Sequence, residues 1–239
     1  MSIIKLNATD STNAYLKELA LSQPLEDFTI VSTELQLRGR GQMGSDWISE
    51  KGKNLTISVL KNLEQFPARN QFDLNCVVSL AIYSVLTELS VPNLSVKWPN
   101  DILSGNQKIC GILIENILKG KFIQMAILGI GLNVNQMDFS DIERASSLKL
   151  ILGSDLNLDE LIEEILTKLK LYFKTPQKDL RAEYEKVLFR KDKPSTFENP
   201  TNEKFLGLIR GVNEAGKLVV ELEDSVIKKF DLKEVKLLY

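Results

Sequence analysis

Histidine is missing from all 239 residues, and that absence excludes more chemistry than any other feature of the chain. No Ser-His-Asp or Cys-His nucleophile, no imidazole acid–base pair and no His-containing zinc site can be built. Cysteine is scarce too. Cys76 and Cys110 lie in apolar surroundings without a Cys-x-x-Cys partner, and they read as buried thiols in a reducing cytosol. No apolar run is long enough to span a bilayer, and the opening Met-Ser-Ile-Ile-Lys-Leu-Asn is not a signal peptide, so a cytoplasmic protein with no membrane partner is expected. Neither sign of charge prevails: the formal net charge is -2, which leaves no overall field to gather nucleic acid. Repeats and low-complexity tracts are absent. The remaining chemistry rests on Lys, Arg, Asp, Glu, backbone groups and Mg²⁺. That set suits positioning and charge stabilisation, the style of phosphoryl or nucleotidyl transfer.

What is present is an ordinary globular composition, 44% hydrophobic and 26% charged, with length for one large domain and a small one. The most informative stretch runs from Glu34 to Trp47 (Glu-Leu-Gln-Leu-Arg-Gly-Arg-Gly-Gln-Met-Gly-Ser-Asp-Trp). Gly39, Gly41 and Gly44 permit positive φ and close approach to a ligand, while Arg38 and Arg40 add guanidinium forks, a combination suited to phosphate or carboxylate. Strands are predicted on both sides, over Phe28–Thr33 and Asn54–Leu60. Gly39-x-Gly41-x-x-Gly44 matches the dinucleotide fingerprint, but a strand rather than a helix follows it. Ser45 stands where a Walker loop needs lysine, and the His-Arg-Asp and Asp-Phe-Gly segments of a kinase are missing. A surface loop with no ligand is the competing reading.

Along the chain, Asp10 or Ser11 can cap a helix beginning near Ala14, with Leu16, Leu19 and Ala20 at helical spacing. Asn70–Leu89 reads as a well-buried helix. Leu94–Trp98 reads as a strand, Ser104–Gln107 as a hairpin turn, and Lys108–Glu115 as the returning strand. A second hairpin at Leu118–Lys121 leads to a strand from Phe122 to Leu128. Asp101 and Lys108 therefore flank one tight hairpin, either as parts of one site or as a structural ion pair. Ser140–Gly153 reads as irregular, with Ala145–Leu148 as a loop returning to the site. Helices follow over Leu158–Phe173 and Gln177–Leu188. After loop-rich Lys193–Asn202, short strands over Phe205–Val212, Lys217–Leu222 and Val226–Asp231 suggest a small β-barrel of about fifty residues.

Several of these segments, taken together, resemble the biotin–protein ligases. They are Ser11-Thr12-Asn13, Gln36-x-x-Gly39-Arg40-Gly41, Trp47, Lys97-Trp98-Pro99-Asn100-Asp101, Lys108-x-x-Gly111-Ile112-Leu113-x-Glu115 and Gly129-x-Gly131-x-Asn133-Val134. The resemblance spans most of the first 150 residues, in family order, and is most specific at Lys-Trp-Pro-Asn-Asp. It implies an α+β protein: a mixed-sheet catalytic domain like that of class II aminoacyl-tRNA synthetases over residues 1–188, then a Src-homology-3-like barrel over 189–239. It implies activation of biotin by Mg·ATP to biotinyl-5′-AMP, then transfer to a lysine of a biotin carboxyl carrier protein of acetyl-CoA carboxylase.

Carried over residue by residue, Ser11, Thr12, Asn13 and Gln36 would bind the biotin head group. Gly39, Gly41, Gln42 and Gly111 would complete that pocket. Arg40 and Lys108 would grip the biotin carboxyl and the α-phosphate, and with Asp101 form the catalytic set. Asn100 and Asp101 would serve the nucleotide, Asp101 being the one candidate ligand for Mg²⁺, while Trp47 and Asn133 would build the adenine side. The family loop reads Gly-Arg-Gly-Arg, but Gln42 stands at its second arginine, leaving the pocket one cation short unless Arg38 compensates. The winged-helix DNA-binding domain of many bacterial members has no counterpart before Ser11, so no DNA partner is expected; a homodimer is an admissible assembly. The alternatives are a lipoate or octanoate ligase or transferase of similar fold, and a non-enzymatic module binding RNA or a peptide.

Overall fold

Strand alternation and two buried helices account for most of the architecture. The computed structural model describes residues 2–239. Its first element, β1 (Ile3–Leu6), escapes sequence reading because four residues at a sheet edge carry no period. Next come α1 (Thr12–Ser22), β2 (Ile30–Thr33), β3 (Leu55–Pro67), α2 (Phe72–Glu88), β4 (Leu94–Lys97), β5 (Asp101–Ser104), β6 (Gln107–Lys119) and β7 (Phe122–Leu132). These strands form a seven-stranded sheet in the order β1-β2-β3-β7-β6-β5-β4. Only β1 and β2 run parallel, so the sheet is mixed, as expected. Both hairpins fall where the turn residues put them.

The two faces of the sheet bury different partners because successive side chains point oppositely. Ile30, Val59 and Leu128 face the large core with α2, whereas Val31, Leu60 and Ile127 face Leu16 of α1. α2 is apolar nearly all round and packs on the sheet, on α4 (Leu158–Tyr172) and on α5 (Gln177–Lys186). Within the stretch read as irregular, α3 (Leu148–Leu152) forms a single turn. The Ser147 hydroxyl caps it through the N–H of Leu150 at 3.3 Å, and Gly153 ends it at φ 79°.

β8 (Pro194–Glu198), β9 (Lys204–Val212), β10 (Leu218–Glu221), β11 (Ile227–Phe230) and β12 (Lys236–Leu238) make a five-stranded antiparallel sheet in the order β11-β10-β9-β8-β12. This agrees with a small Src-homology-3-like unit. β8 was hidden by its loop-type flanks, but Pro194 is its first residue, where no ladder donor is required. β12 is three residues long and shows no pattern. Specific contacts dock this sheet on the larger one. Trp98 Nε1 donates to Gly216 O at 2.9 Å, and Glu185 Oε1 accepts from the Val212 N–H at 2.9 Å. Among the described residues no helix is long and apolar enough to cross a membrane.

Glu185 also pairs with Lys191 at 3.6 Å, so one carboxylate ties α5 to two parts of the small sheet's approach. Glu185→Ala should lower unfolding free energy by about 1.5–3 kcal/mol, the range for a hydrogen bond to a charged group. Urea denaturation checks this, and an unchanged midpoint would mean that the Glu185 carboxylate does not help to dock the two sheets.

Candidate active site

The face of the sheet that carries α1 also carries a cavity of about 230 Å³. Its floor is a cross-strand row. Thr56 of β3 stands opposite Gly131 of β7, Gly131 opposite Gly111 of β6, Gly111 opposite Asp101 of β5, and Asp101 opposite Lys97 of β4. A second row sets Ser58 opposite Gly129 and Gly129 opposite Leu113. Three glycines thus clear the middle of the sheet. The indole of Trp47 lies on that clearing: a Cβ on Gly131 would stand 2.4 Å from it, and one on Gly111 would stand 3.2 Å away. Trp47 Nε1 is buried without a partner.

One wall is the N-terminus of α1. Ser11 caps the helix, its hydroxyl 3.5 Å from the Ala14 N–H. The N–H and hydroxyl of Thr12 both donate to Gln36 Oε1, at 2.8 and 3.1 Å. Ser58 Oγ stands 2.6 Å from Asn13 Oδ1 and 2.8 Å from Thr12 Oγ1. Asn13 Nδ2 donates to Leu113 O and to Glu115 Oε2, so its amide braces helix against sheet while the residue lines the cavity. Thr56, which lines the cavity, was missed as a site residue, and so was Ser58, which supports Thr12 and Asn13 from beneath. Their signal was legible in β3, where polar side chains at 56 and 58 alternate with buried Ile57 and Val59.

The Gly/Arg loop forms the opposite wall. Contrary to expectation, Gly39 and Gly41 do not use positive φ, and only Gly44 of the three does, at 82°. Gly39 is demanded by proximity instead: a Cβ there would stand 2.2 Å from Trp47 O, whose residue returns an N–H to Gly39 O at 3.0 Å. Arg40, Gly41, Gln42, Ser45 and Asp46 line the cavity with Trp47. Arg38 turns outward to Asp10 at 3.8 Å, 78% exposed, so it does not replace the missing arginine at 42.

The charged end is the β5–β6 hairpin. Lys108 Nζ contacts Asp101 Oδ1 at 2.7 Å, and Lys97 Nζ stands 4.0 Å from Oδ2, so one carboxylate lies between two ammonium groups. Lys108 also lies 5.9 Å from the Trp47 ring centroid. Burial pushes the Lys97 ammonium below the ordinary lysine value; Asp101 opposes that, while Lys108 and Arg144 add to it. The Tyr239 ring covers Lys97 and Arg144, at 5.0 and 4.8 Å. Asn100, largely buried, lines this end of the cavity, its Nδ2 on Ile112 O and its backbone O accepting from the Ile112 N–H at 3.0 Å. Asn133 is not among the residues lining the cavity; its Nδ2 donates to Ser146 O at 3.0 Å, which leaves its Oδ1 as its other polar atom. Among the described residues no group of three or more His, Cys, Asp or Glu side chains could hold a metal ion.

This arrangement offers a flat floor, a polar helix end and two cations, Arg40 and Lys108, facing one space. It can hold a planar group on the glycines and place an anionic atom between the cations. Gly131→Ala should drive Trp47 off the floor, seen as a red shift in tryptophan emission that disappears when Trp47→Phe is added. An unshifted spectrum would mean that the indole does not rest on Gly131.

Residues 6–133 match the biotin/lipoate A/B protein ligase family. The bifunctional ligase/repressor BirA of Escherichia coli is 29% identical over 242 residues, covering 99% of this chain and 74% of its own length. The biotin–[acetyl-CoA-carboxylase] ligase of Paracoccus denitrificans is 36% identical over 131 residues, about half of each chain (54% and 53%). Among solved structures, the biotin protein ligase from Aquifex aeolicus in complex with biotin and ATP superposes with a TM-score of 0.82 at 28% identity, covering 99% of this chain and 98% of that one. With the matched region covering more than half of its length and taking in the glycine floor, the helix end and the Lys108 hairpin, the chain belongs to the biotin/lipoate A/B protein ligase family.

Proposed function

We propose that this protein is a biotin–protein ligase acting in the cytoplasm, with residues 1–188 as catalytic domain and 189–239 as the small β unit. The observation that carries the reading is the shared cavity of Arg40 and Lys108 above the Gly111–Gly131 floor, beside the Thr12–Gln36 pair. Biotin's carboxylate and the α-phosphate of Mg·ATP repel one another, and two fixed cations remove that barrier. A carboxylate oxygen attacks the α-phosphorus, pyrophosphate leaves, and biotinyl-5′-AMP forms. The amine of a carrier-protein lysine then attacks the acyl carbon and AMP leaves. Ser11, Thr12, Asn13 and Gln36 present polar groups to the ring end, Arg40 and Lys108 neutralise the reacting anions, and Asp101 holds Lys108 in place. Magnesium bound by the nucleotide's phosphates would add to that charge neutralisation.

Pyrophosphate exchange into ATP should depend on biotin and proceed with neither lipoate nor octanoate; exchange with lipoate alone sinks the biotin reading. Lys108→Ala should slow adenylate formation roughly 10²–10³-fold, as for loss of one preorganised donor at a developing charge. Wild-type adenylation by that variant would remove Lys108 from the catalytic set.

Gln42 lines the cavity without charge. Charge-assisted hydrogen bonds exceed neutral ones by an amount worth about tenfold in binding. Gln42→Arg should therefore slow dissociation of preformed biotinyl-5′-AMP after rapid dilution, and Arg38→Ala should leave it unchanged because Arg38 faces Asp10. Equal rates for wild type and Gln42→Arg would mean that residue 42 does not face the adenylate.

A further inference from the structure

Two stretches of chain outside the sheet hold the cavity's side chains in place, one lining it and the other bonded to the backbone of Lys108. The first is the loop from Glu34 to Asn54, which carries Gln36, Arg40, Gln42 and Trp47 and is closed at its base by Gly52 N donating to Glu34 O at 2.9 Å. The second runs from Asn133 to Ser147 and lies along Lys108. Lys108 N donates to Arg144 O at 2.7 Å, and Ser146 N donates to Lys108 O at 3.1 Å.

The side chain of Gln136, only 6% exposed, joins the two. Its Oε1 accepts from the Glu50 N–H at 3.1 Å and from Asn54 Nδ2. Its Nε2 donates to Asp138 O at 2.6 Å, and its backbone carbonyl accepts from the buried Ser147 hydroxyl. Around this pin, Asn54 Oδ1 accepts from the Val134 N–H at 3.0 Å, and Asn135 N donates to Lys53 O at 2.8 Å. Gln136 does not line the cavity. A buried carboxamide engaged on both sides resists relative movement of the two stretches, because each lost bond leaves an unpaired buried group.

We propose that Gln136 is a positioning residue that couples the Gly/Arg loop to the segment holding Lys108, so that occupancy at the biotin end is felt at the nucleotide end. The inference rests on the reading of this cavity as a biotin and nucleotide site. The coupling passes through Glu50 and Asn54 on one side and through Ser147, Ser146 and Arg144 on the other.

The test is calorimetric: the affinity for biotin with and without a non-hydrolysable ATP analogue. Coupling between two sites is typically about 5–150-fold, and the wild type should fall in that range. Gln136→Met keeps length and apolar bulk without the hydrogen bonds, and should bring the ratio to within about twofold of unity. Gln136→Glu keeps acceptor oxygens for Glu50 and Asn54 and loses the donor to Asp138, so it should retain part of the coupling. An unchanged ratio in Gln136→Met, or parallel loss of both affinities with the ratio kept, overturns the proposal. Hydrogen exchange on the free protein gives a second measure: Gln136→Met should speed exchange at Glu50, Lys108 and Ser146 together. Faster exchange confined to Glu50 overturns the coupling. A wild type that binds no biotin sinks the functional reading, and exchange then decides on the coupling alone.

Discussion

Gly131 and Gly111 face each other across β7 and β6 with no side chain between them, and the rest of the site depends on that vacancy. It admits the Trp47 indole to the sheet surface, where any Cβ at 131 would collide with it. The position of Trp47 sets the path of the loop, because its carbonyl lies so close to Gly39 that only glycine fits there. Arg40 and Gln42 are then brought over the same floor. Gly129 in the neighbouring row does the same for Asn13, whose carbonyl oxygen would stand 2.4 Å from a Cβ at that position. The glycines of the sheet thus place both walls of the cavity.

Charge does the work that imidazole does elsewhere. Asp101 lies between Lys97 and Lys108, and a single carboxylate cannot neutralise both ammonium groups. Lys108 projects into the cavity at its charged end, and Arg40 reaches the same space from the loop, where Asp46 also lies. An anion placed there would meet the Lys108 ammonium, whose own geometry is held by Asp101. The same carboxylate is poorly suited to gather a resident metal, since two cations already compete for it. Deep burial pushes the thiol of Cys110, two residues beyond Lys108 in β6, well above its ordinary pKa and disfavours the thiolate.

The two faces of the sheet divide stability from function. On one face α2, α4 and α5 build an apolar core that also receives Tyr184 and Phe197, so the small sheet is joined to the large one by shared packing. Tyr184 donates to Pro99 O at 3.1 Å beside Asn100, so the core supports the Lys97–Asp101 turn from behind. On the other face a short cluster of Leu16, Val31, Leu60 and Ile127 suffices to seat α1. The remaining surface is left polar and open for ligand.

The sequence by itself determined the long elements, the two hairpins, the mixed α+β class and the proximity of Asp101 to Lys108, because these follow from local period and turn chemistry. It also marked Ser11, Thr12, Gln36, Arg40 and Lys108, which the fold gathers around one cavity. Local rules could not reach the short edge strands β1 and β12, or β8 among its loop residues, because their pairing partners rather than their own patterns make them strands. They could not decide direction either: Arg38 and Arg40 are two residues apart, yet one meets Asp10 and the other the cavity. Asn13 and Asn100 line the cavity as well, but tertiary structure decided that their amide nitrogens bond Leu113 O and Ile112 O, as that of Asn133 bonds Ser146 O. The link from Gln136 to Glu50 crosses 86 residues of chain. Which polar groups stay free for a ligand depends on what lies opposite them in space, and only the folded sheet brings those partners together.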